Sequence, residues 1–376
     1  MKITTAGESH GKAIIAIIEG LPSGLAIDLD EINAQLALRQ SGYGRGGRQK
    51  IEKDEVEILA GVRNKTTLGS PVALAVFNRD YENWKAYMAP EGCDVSERTL
   101  TKVRPGHADL AGTKKFYTQD ARNILERASA RETAVRVAAG SICRQLLKTL
   151  GVEITGYVRS VASVKDEKEY TFEEIQKGRL SDLFMIDGKK QDEAKRTIEK
   201  IKADGNTCGG VLELRVKGLK SGFGSCMTYA EKLDARLAGA LMSVQAIKGV
   251  EVGLGFEAAE KCGSEVHDEI YFEKGEYVRK TNRAGGIEGG MSNGEEIIIR
   301  AAMKPIPTLM RGLNTVDILT KEACRAAAER SDVTAILACE VILESVLAGE
   351  LAAAVLERLG GDNLKEIQDR YGRLPA

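Results

Sequence analysis

Apolar residues along this chain fall into two kinds of run. Short stretches rich in Ile and Val, at Lys12–Ile18, Val56–Ala60, Val72–Phe77, Val211–Val216 and Ile297–Ala301, are mostly bounded by Gly, Pro or charged residues and predict β-strands. Elsewhere the apolar positions recur mainly at steps of three and four. From Arg131 to Leu150 this spacing gathers Ala134, Val137, Ala138, Ile142, Leu146 and Leu150 on one face of a helix that Gly151 ends. The segment Asp332–Leu359 is apolar around most of its circumference, which predicts a central buried helix in preference to one at a subunit interface. More polar amphipathic helices are expected at Asp30–Leu38 and Asp192–Ile201, with solvated charged faces.

These strands and helices are mixed without regular β-α-β spacing, and no Pro/Ser-rich linker divides them. The expectation is one α+β domain over residues 1–376, with a charged, peripheral tail from about 360 to 376. Short-period repeats, low-complexity tracts and heptad series are absent.

Composition narrows the function classes. A chain of 376 residues with 43% hydrophobic content buries a substantial core. Its 54 basic and 55 acidic residues nearly cancel, so no global field recruits nucleic acid or a membrane, and any anion site is local. Met1–His10 lacks a cationic segment leading into a long apolar one, and the run Ala13–Ile18 is too short to span a bilayer, so a cytoplasmic protein is expected. Seven scattered cysteines without a C-x-x-C pair predict reduced structural thiols and no metal site.

Candidate chemistry clusters in glycine-rich and basic segments. Two of the three histidines sit among turn-forming residues: His10 in Gly-Glu-Ser-His-Gly and His107 in Arg-Pro-Gly-His-Ala-Asp. Flanking glycines let the backbone approach a ligand, and imidazole is suited to proton donation near neutral pH; a surface turn explains either residue as well. His267 lies in a charged stretch that reads as surface. The segment Arg39–Lys50 holds four cations and four glycines in twelve residues, a composition for gripping phosphate or carboxylate, or for a flexible basic loop. Gly42–Gly47 spells G-x-G-x-x-G, but it follows a helical stretch, so a dinucleotide fingerprint is rejected.

Glu126–Thr133 opens the amphipathic helix and offers a helix N-terminus to a phosphate, or only a capping box between Ser129 and Glu132. Five glycines between Ala284 and Gly294 suit a backbone lying flat on a planar ligand, or a plain loop. Lys304-Pro305-Ile306-Pro307-Thr308 reads as a stiffened strand exit, and in Glu329-Arg330-Ser331-Asp332 either Ser331 or Asp332 is expected to cap the long apolar helix.

In this order, the seven segments resemble the chorismate synthase family. One departure is visible: the family commonly has two serines after the arginine at position 127, where this chain has Ala128 and then Ser129. The resemblance implies a β-α-β sandwich with long central helices between antiparallel sheets, assembled as a homotetramer. It implies a 1,4-elimination of phosphate from 5-enolpyruvylshikimate 3-phosphate to chorismate, requiring reduced FMN without net redox change. His10 then corresponds to the residue that protonates the flavin, His107 to the donor at the leaving phosphate, and Asp332 to the carboxylate that helps flavin N5 accept the substrate proton. Arg39, Arg45 and Arg48 would bind substrate or NADP. Flavin contacts would fall at Arg127, Ala128, Ser129, Gln245, Ala246, Gly289, Lys304, Pro305, Ile306, Pro307, Thr308 and Arg330. With no appended reductase domain, NADPH would act only indirectly, through a separate flavin reductase. Two other readings stay open: an FMN-dependent oxidoreductase acting on a small anion, and a module that grips a polyanion through residues 39–50.

Overall fold

The computed structural model describes residues 1–45, 53–92, 94–179, 181–326 and 332–375; Arg48, Arg330 and Ser331 lie outside them. Strands β1 (Lys2–Ala6), β2 (Ala13–Glu19), β3 (Val56–Ala60) and β4 (Val72–Phe77) form an antiparallel sheet in the order β1-β2-β4-β3. The alternation that predicted β2 is realised: Ile14, Ala16 and Ile18 are buried, while Ile15 and Ile17 face outward. Helix α1 (Leu29–Gln40) connects β2 to β3 and starts on Asp28, whose carboxylate accepts from the Asp30 and Glu31 amides. After β4 come α2 (Tyr81–Met88), α3 (Asp109–Lys115), α4 (Arg122–Ala128) and the long α5 (Thr133–Lys148). Gly151, at φ +77°, turns the chain out of α5 as expected.

A second antiparallel sheet follows, built from β5 (Glu153–Val161), β6 (Val164–Lys165), β7 (Gly210–Lys217), β8 (Ile247–Val252) and, beyond the short pair β9 (Ile287–Glu288) and β10 (Met291–Ser292), β11 (Ile297–Met303). Its order is β8-β11-β7-β5-β6. Leu212, Leu214 and Val216 of β7 are buried in the core, whereas the other face lines up Tyr157, Glu213, Arg300 and Glu251 across four strands. Glu213 is wholly buried beneath Arg159, Arg215 and Arg300, at 2.8, 2.6 and 2.8 Å. Helices α6 (Gly188–Ala203), α7 (Leu233–Met242), α8 (Ile336–Leu359) and α9 (Leu364–Gly372) complete the frame.

Helices α5 and α8 lie against each other at the centre, α5 packing on the first sheet and α8 on the second. Both are buried on nearly every side, so the apolar circumference of residues 332–359 marks burial within one chain. Their approach is close: a Cβ on Gly140 would fall 2.2 Å from the Ser345 carbonyl oxygen, so only glycine fits. The charged stretch after residue 360 is mostly exposed yet anchored, because α9 buries Ile367 and Tyr371 and the Tyr371 hydroxyl donates to the Gly218 carbonyl at 2.9 Å. Among the described residues no helix is long and apolar enough to cross a membrane.

Two carboxyls on α8 share the core and behave oppositely. Glu344 accepts from Arg144 Nη1 at 2.7 Å and pairs with Arg179; burial would raise its pKa, but the two arginines hold it down. Neither Glu340 oxygen has a hydrogen-bond partner; burial pushes this carboxyl well above its usual range despite Arg179 at 3.7 Å, and Glu344 adds to the rise. Burial thus favours the uncharged acid at Glu340. Glu340→Gln should change the urea-unfolding stability by less than about 1 kcal/mol at pH 7, whereas Glu344→Gln, which leaves the partly buried guanidinium groups of Arg144 and Arg179 without their carboxylate, should cost about 3–5 kcal/mol.

Candidate active site

Loop 7–12 between β1 and β2 makes a tight reversal. Gly7 sits at φ +111°, and a Cβ there would meet the Ala13 carbonyl oxygen at 2.4 Å. His10 is thereby tucked inside. Its backbone N–H donates to Glu126 Oε2 at 2.8 Å, and its Nδ1 lies 2.9 Å from Glu126 Oε1. Burial alone would raise the Glu126 carboxyl; the His10 contacts and Arg122 outweigh it and keep the group below the usual carboxylate range. An ionised carboxylate only accepts, so Nδ1 carries the hydrogen and Nε2 faces away from this bond.

His107, in the turn before α3, is held by the same device. Asp109 is fully buried and accepts from Arg104 Nε at 2.8 Å, Arg104 Nη2 at 3.0 Å, the Arg104 amide at 3.0 Å and His107 Nδ1. Desolvation favours the neutral acid, yet the His107 and Arg104 hydrogen bonds drive its pKa far below the ordinary value. Sequence reading assigned no role to Glu126 or Asp109. A carboxylate two positions after a histidine in a tight turn was a usable signal for Asp109. Glu126 is 116 residues from His10, and no local pattern announces that pairing.

Around these imidazoles the expected flavin contacts form a hydrogen-bonded circuit. Arg127 donates to Thr5 Oγ1 at 2.7 Å and to the carbonyls of Thr5 at 3.1 Å and Gly7 at 3.3 Å, pinning the His10 loop to α4. Ala128 is the last residue of α4, and Ser129 Oγ accepts from Ser9 Oγ at 3.0 Å. The expected capping box is not formed. Ser129 serves only a short 3₁₀ turn over 130–132, and its amide is already bonded to the Leu125 carbonyl at 3.0 Å, so Glu132 has no orphan donor there to satisfy. The Glu132 carboxylate instead accepts from Thr5 Oγ1 at 2.7 Å and from Gln245 Nε2 at 3.4 Å.

From Gln245 the circuit continues. Gln245 Oε1 is buried without a partner among the described residues. Ala246 adopts φ +72°, and its carbonyl accepts the Lys304 amide at 2.9 Å. Lys304 Nζ then donates to the Gly106 carbonyl at 2.8 Å, beside His107. Desolvation, reinforced by Lys248, lowers the Lys304 pKa. Pro305 and Pro307 carry the chain past this point, the Ile306 carbonyl accepts Thr207 Oγ1 at 2.7 Å, and Thr308 is buried.

Next to Thr207, the Cys208 amide donates to the Val333 carbonyl at 2.9 Å, and the Val333 amide to the Gly44 carbonyl at 2.9 Å. This brings Asp332 Oδ2 to 2.9 Å from Arg45 Nη1. Asp332 does not cap α8, as the sequence had suggested. That helix starts only at Ile336, its N-cap position is Ala335, and the Ile336 amide turns to Thr334 Oγ1 at 3.3 Å. Burial lowers the Arg45 pKa, with Asp332 partly offsetting it. Arg39, by contrast, lies in the last turn of α1 and points inward: it donates to Asp54 at 3.0 Å, Thr133 Oγ1 at 3.0 Å and the Ala130 carbonyl at 3.2 Å. Asp54 also pairs with Arg131 at 2.7 Å.

Gly289 stands apart. It forms, with Gly290, the two-residue turn of the β9–β10 hairpin beside the start of α7, while Gln245 follows that helix's end, about 15 Å away at 1.5 Å per residue. A cavity of about 350 Å³ opens by the circuit, lined in part by Thr5, Glu132, Arg136, Ser243, Val346 and Glu350; His10, His107 and Asp332 do not line it. His267 is exposed, as expected.

The sequence model of the family described as chorismate synthase matches residues 1–356. The chain belongs to the chorismate synthase family. Curated chorismate synthases from Caldicellulosiruptor bescii, 50% identical over all of this chain and 99% of the relative, and from Geobacter sulfurreducens, 52% identical over 99% and 97%, are similar from end to end. A crystal structure of a chorismate synthase superposes with a TM-score of 0.80 at 40% identity, covering 99% of this chain and 96% of that one. Glu126 and Asp109 each hold one of the two imidazoles through its Nδ1.

The Asp109 carboxyl, lowered on folding, contributes stability that is complete above its unfolded value near pH 4 and is lost as the pH falls toward the folded one. Between pH 5 and pH 2 the thermal midpoint of the wild type should therefore drop more steeply than that of Asp109→Asn. Parallel curves would contradict an ionised, buried Asp109.

Proposed function

We propose that this chain removes phosphate from 5-enolpyruvylshikimate 3-phosphate by 1,4-elimination, giving chorismate, as a carbon–oxygen lyase of the shikimate route to aromatic amino acids. The observation that carries this reading is the shared presentation of His10 and His107: each Nδ1 is tied to a buried carboxylate, which turns Nε2 toward a ligand, with Arg104 Nη2 at 3.5 Å from His107 Nε2. Two donors held this way match a reaction that needs one hydrogen at a cofactor and another at a departing anion.

Reduced FMN is the cofactor this family implies, and the residues present fit it. Gln245 Oε1 is a buried acceptor in want of a donor, Lys304 and Arg127 supply positive charge, and the left-handed Ala246 bares a turn of backbone. Arg127, Ala128, Ser129, Gln245, Ala246 and Lys304 to Thr308 would hold the ring system and its side chain, with Arg330 and Gly289 as further contacts. When bound, reduced FMN lends electron density to a substrate whose departing hydrogen is not acidic, and recovers it, so that no net redox change results.

The protein's own groups supply the rest. With Nδ1–H already given to a carboxylate, each ring would donate from Nε2 only as an imidazolium: His10 toward the flavin, and His107 toward the phosphate oxygen on which charge accumulates. Arg45, with Arg48, neutralises substrate phosphate and carboxylates. Arg39 would contribute through the Asp54 bridge to Arg131, since its own guanidinium is turned inward. Asp332, held by Arg45 at 2.9 Å, would help flavin N5 accept the proton leaving the substrate.

The same reading includes a single domain, the sandwich arrangement with α5 and α8 as its filling, a cytoplasmic homotetramer, and a separate flavin reductase drawing on NADPH. The match to the chorismate synthase family favours neither the oxidoreductase alternative nor the polyanion-binding module.

Anaerobic assay of phosphate release with dithionite-reduced FMN tests the proposal: many turnovers should follow from one reduced flavin, whereas one reductant consumed per product would point to an oxidoreductase. His107→Ala and Asp332→Asn should each lower turnover by about 10²-fold or more with flavin affinity nearly unchanged. Arg45→Ala should act mainly on KM, and an unchanged KM would remove it from substrate binding.

A further inference from the structure

His10 has a second neighbour that neither its loop nor the circuit explains. The indole of Trp84 stacks on its imidazole, ring centroids 3.8 Å apart and planes 30° from parallel. Trp84 is the chain's only tryptophan, and it comes from α2, a helix in which no residue is fully buried. An aromatic side chain carried on so lightly anchored a helix needs a reason to be where it is. Three contacts supply one.

First, the indole N–H donates to Asp80 Oδ2 at 3.0 Å, which fixes the ring about its own bonds. Second, the guanidinium groups of Arg98 and Arg122 lie 4.9 and 5.3 Å from the indole centroid, within cation–π range. Arg122 also reaches Glu126 Oε1 at 3.4 Å, so a single arginine touches both the stacking partner of His10 and its carboxylate partner. Third, the chain just before α2 is registered on the histidine loop itself: the Asn78 side-chain amide donates to the Gly11 carbonyl at 3.1 Å and its backbone N–H to the Lys12 carbonyl at 3.0 Å.

We infer that Trp84 is a positioning residue for His10: its indole face, with Glu126 at Nδ1, restricts the imidazole to one plane and so fixes the direction in which Nε2 points. Glu126 alone leaves the ring free to swing about the Nδ1 contact; a ring stacked on its face removes that freedom. The groups facing the pair are Asp80, Arg98, Arg122 and Glu126, two of each sign, so the stack orients His10 inside a locally neutral shell. Alpha-helix 2 is thereby coupled to the proton donor, and a displacement of that helix would displace Nε2.

This inference rests on the proposed role of His10, and its test separates the two. In the whole protein without flavin, single-tryptophan emission reads the stack directly: His10→Ala should shift the emission to longer wavelength and raise its quenching by acrylamide. Unchanged emission would overturn the stack whatever the enzyme does. In the anaerobic assay with reduced FMN, Trp84→Leu should lower kcat by about 10- to 10²-fold, the scale of a misplaced catalytic group, with KM and flavin affinity within about twofold. Trp84→Phe, which keeps a stacking face, should recover most of that loss. Equal impairment of Phe and Leu variants, or normal kcat in the Leu variant, would overturn the positioning role. A wild-type protein that released no phosphate would sink the proposed reaction, while the emission experiment would still decide the stack.

Discussion

An ionised carboxylate cannot lie inside a protein without partners, and in this fold that requirement organises the chemistry. Asp109 takes His107 and Arg104, Glu126 takes His10 and Arg122, Asp54 takes Arg39 and Arg131, and Asp332 takes Arg45. Each acid draws in the base or cation whose direction matters. The same rule operates away from the site, where Glu344 gathers Arg144 and Arg179 at the meeting of the two central helices. Glu340 shows the alternative outcome: one turn away and without a hydrogen-bond partner, it is pushed by burial toward the uncharged acid.

How much of this was legible beforehand depended on the range of the cause. Periodicity is local, and the five strands and the helices α1, α5, α6 and α8 follow the hydrophobic pattern closely. The motifs were legible for the same reason, since each is a short run of unusual composition. What failed was inference from one segment about its own ends. Ser129 looked like the first residue of a helix because its neighbours fit the capping template, but α4 stops directly before it and satisfies its amide. Asp332 looked like a cap because an apolar run follows, yet that run begins its helix four residues later and the carboxylate answers to Arg45, distant in sequence. Arg39, read as one cation of an anion-gripping segment, has its guanidinium on Asp54 and Thr133. Each of these partners lies beyond the window being read.

The segment from Glu126 to Thr133 illustrates why so many such partners converge. It joins α4 to α5, lies against the loop between β1 and β2, and meets the residues after α7 through Glu132 and Gln245. Few positions in a layered fold border a sheet end, two helix ends and a distant turn at once, and side chains placed there touch all of them. A hydrogen-bonded path consequently runs from His10 to Gly106 beside His107, although the two histidines are nearly a hundred residues apart.

Ala246 carries a quieter implication. At φ +72° it occupies a region that costs an L-residue about 1 kcal/mol or more, and the surrounding contacts hold it there. Glycine would relieve that tension and widen the range of directions available to the carbonyl that receives Lys304. A methyl group that resists its own conformation thus works as a spring under compression: the turn stays taut, and the lysine it grips is kept from drifting.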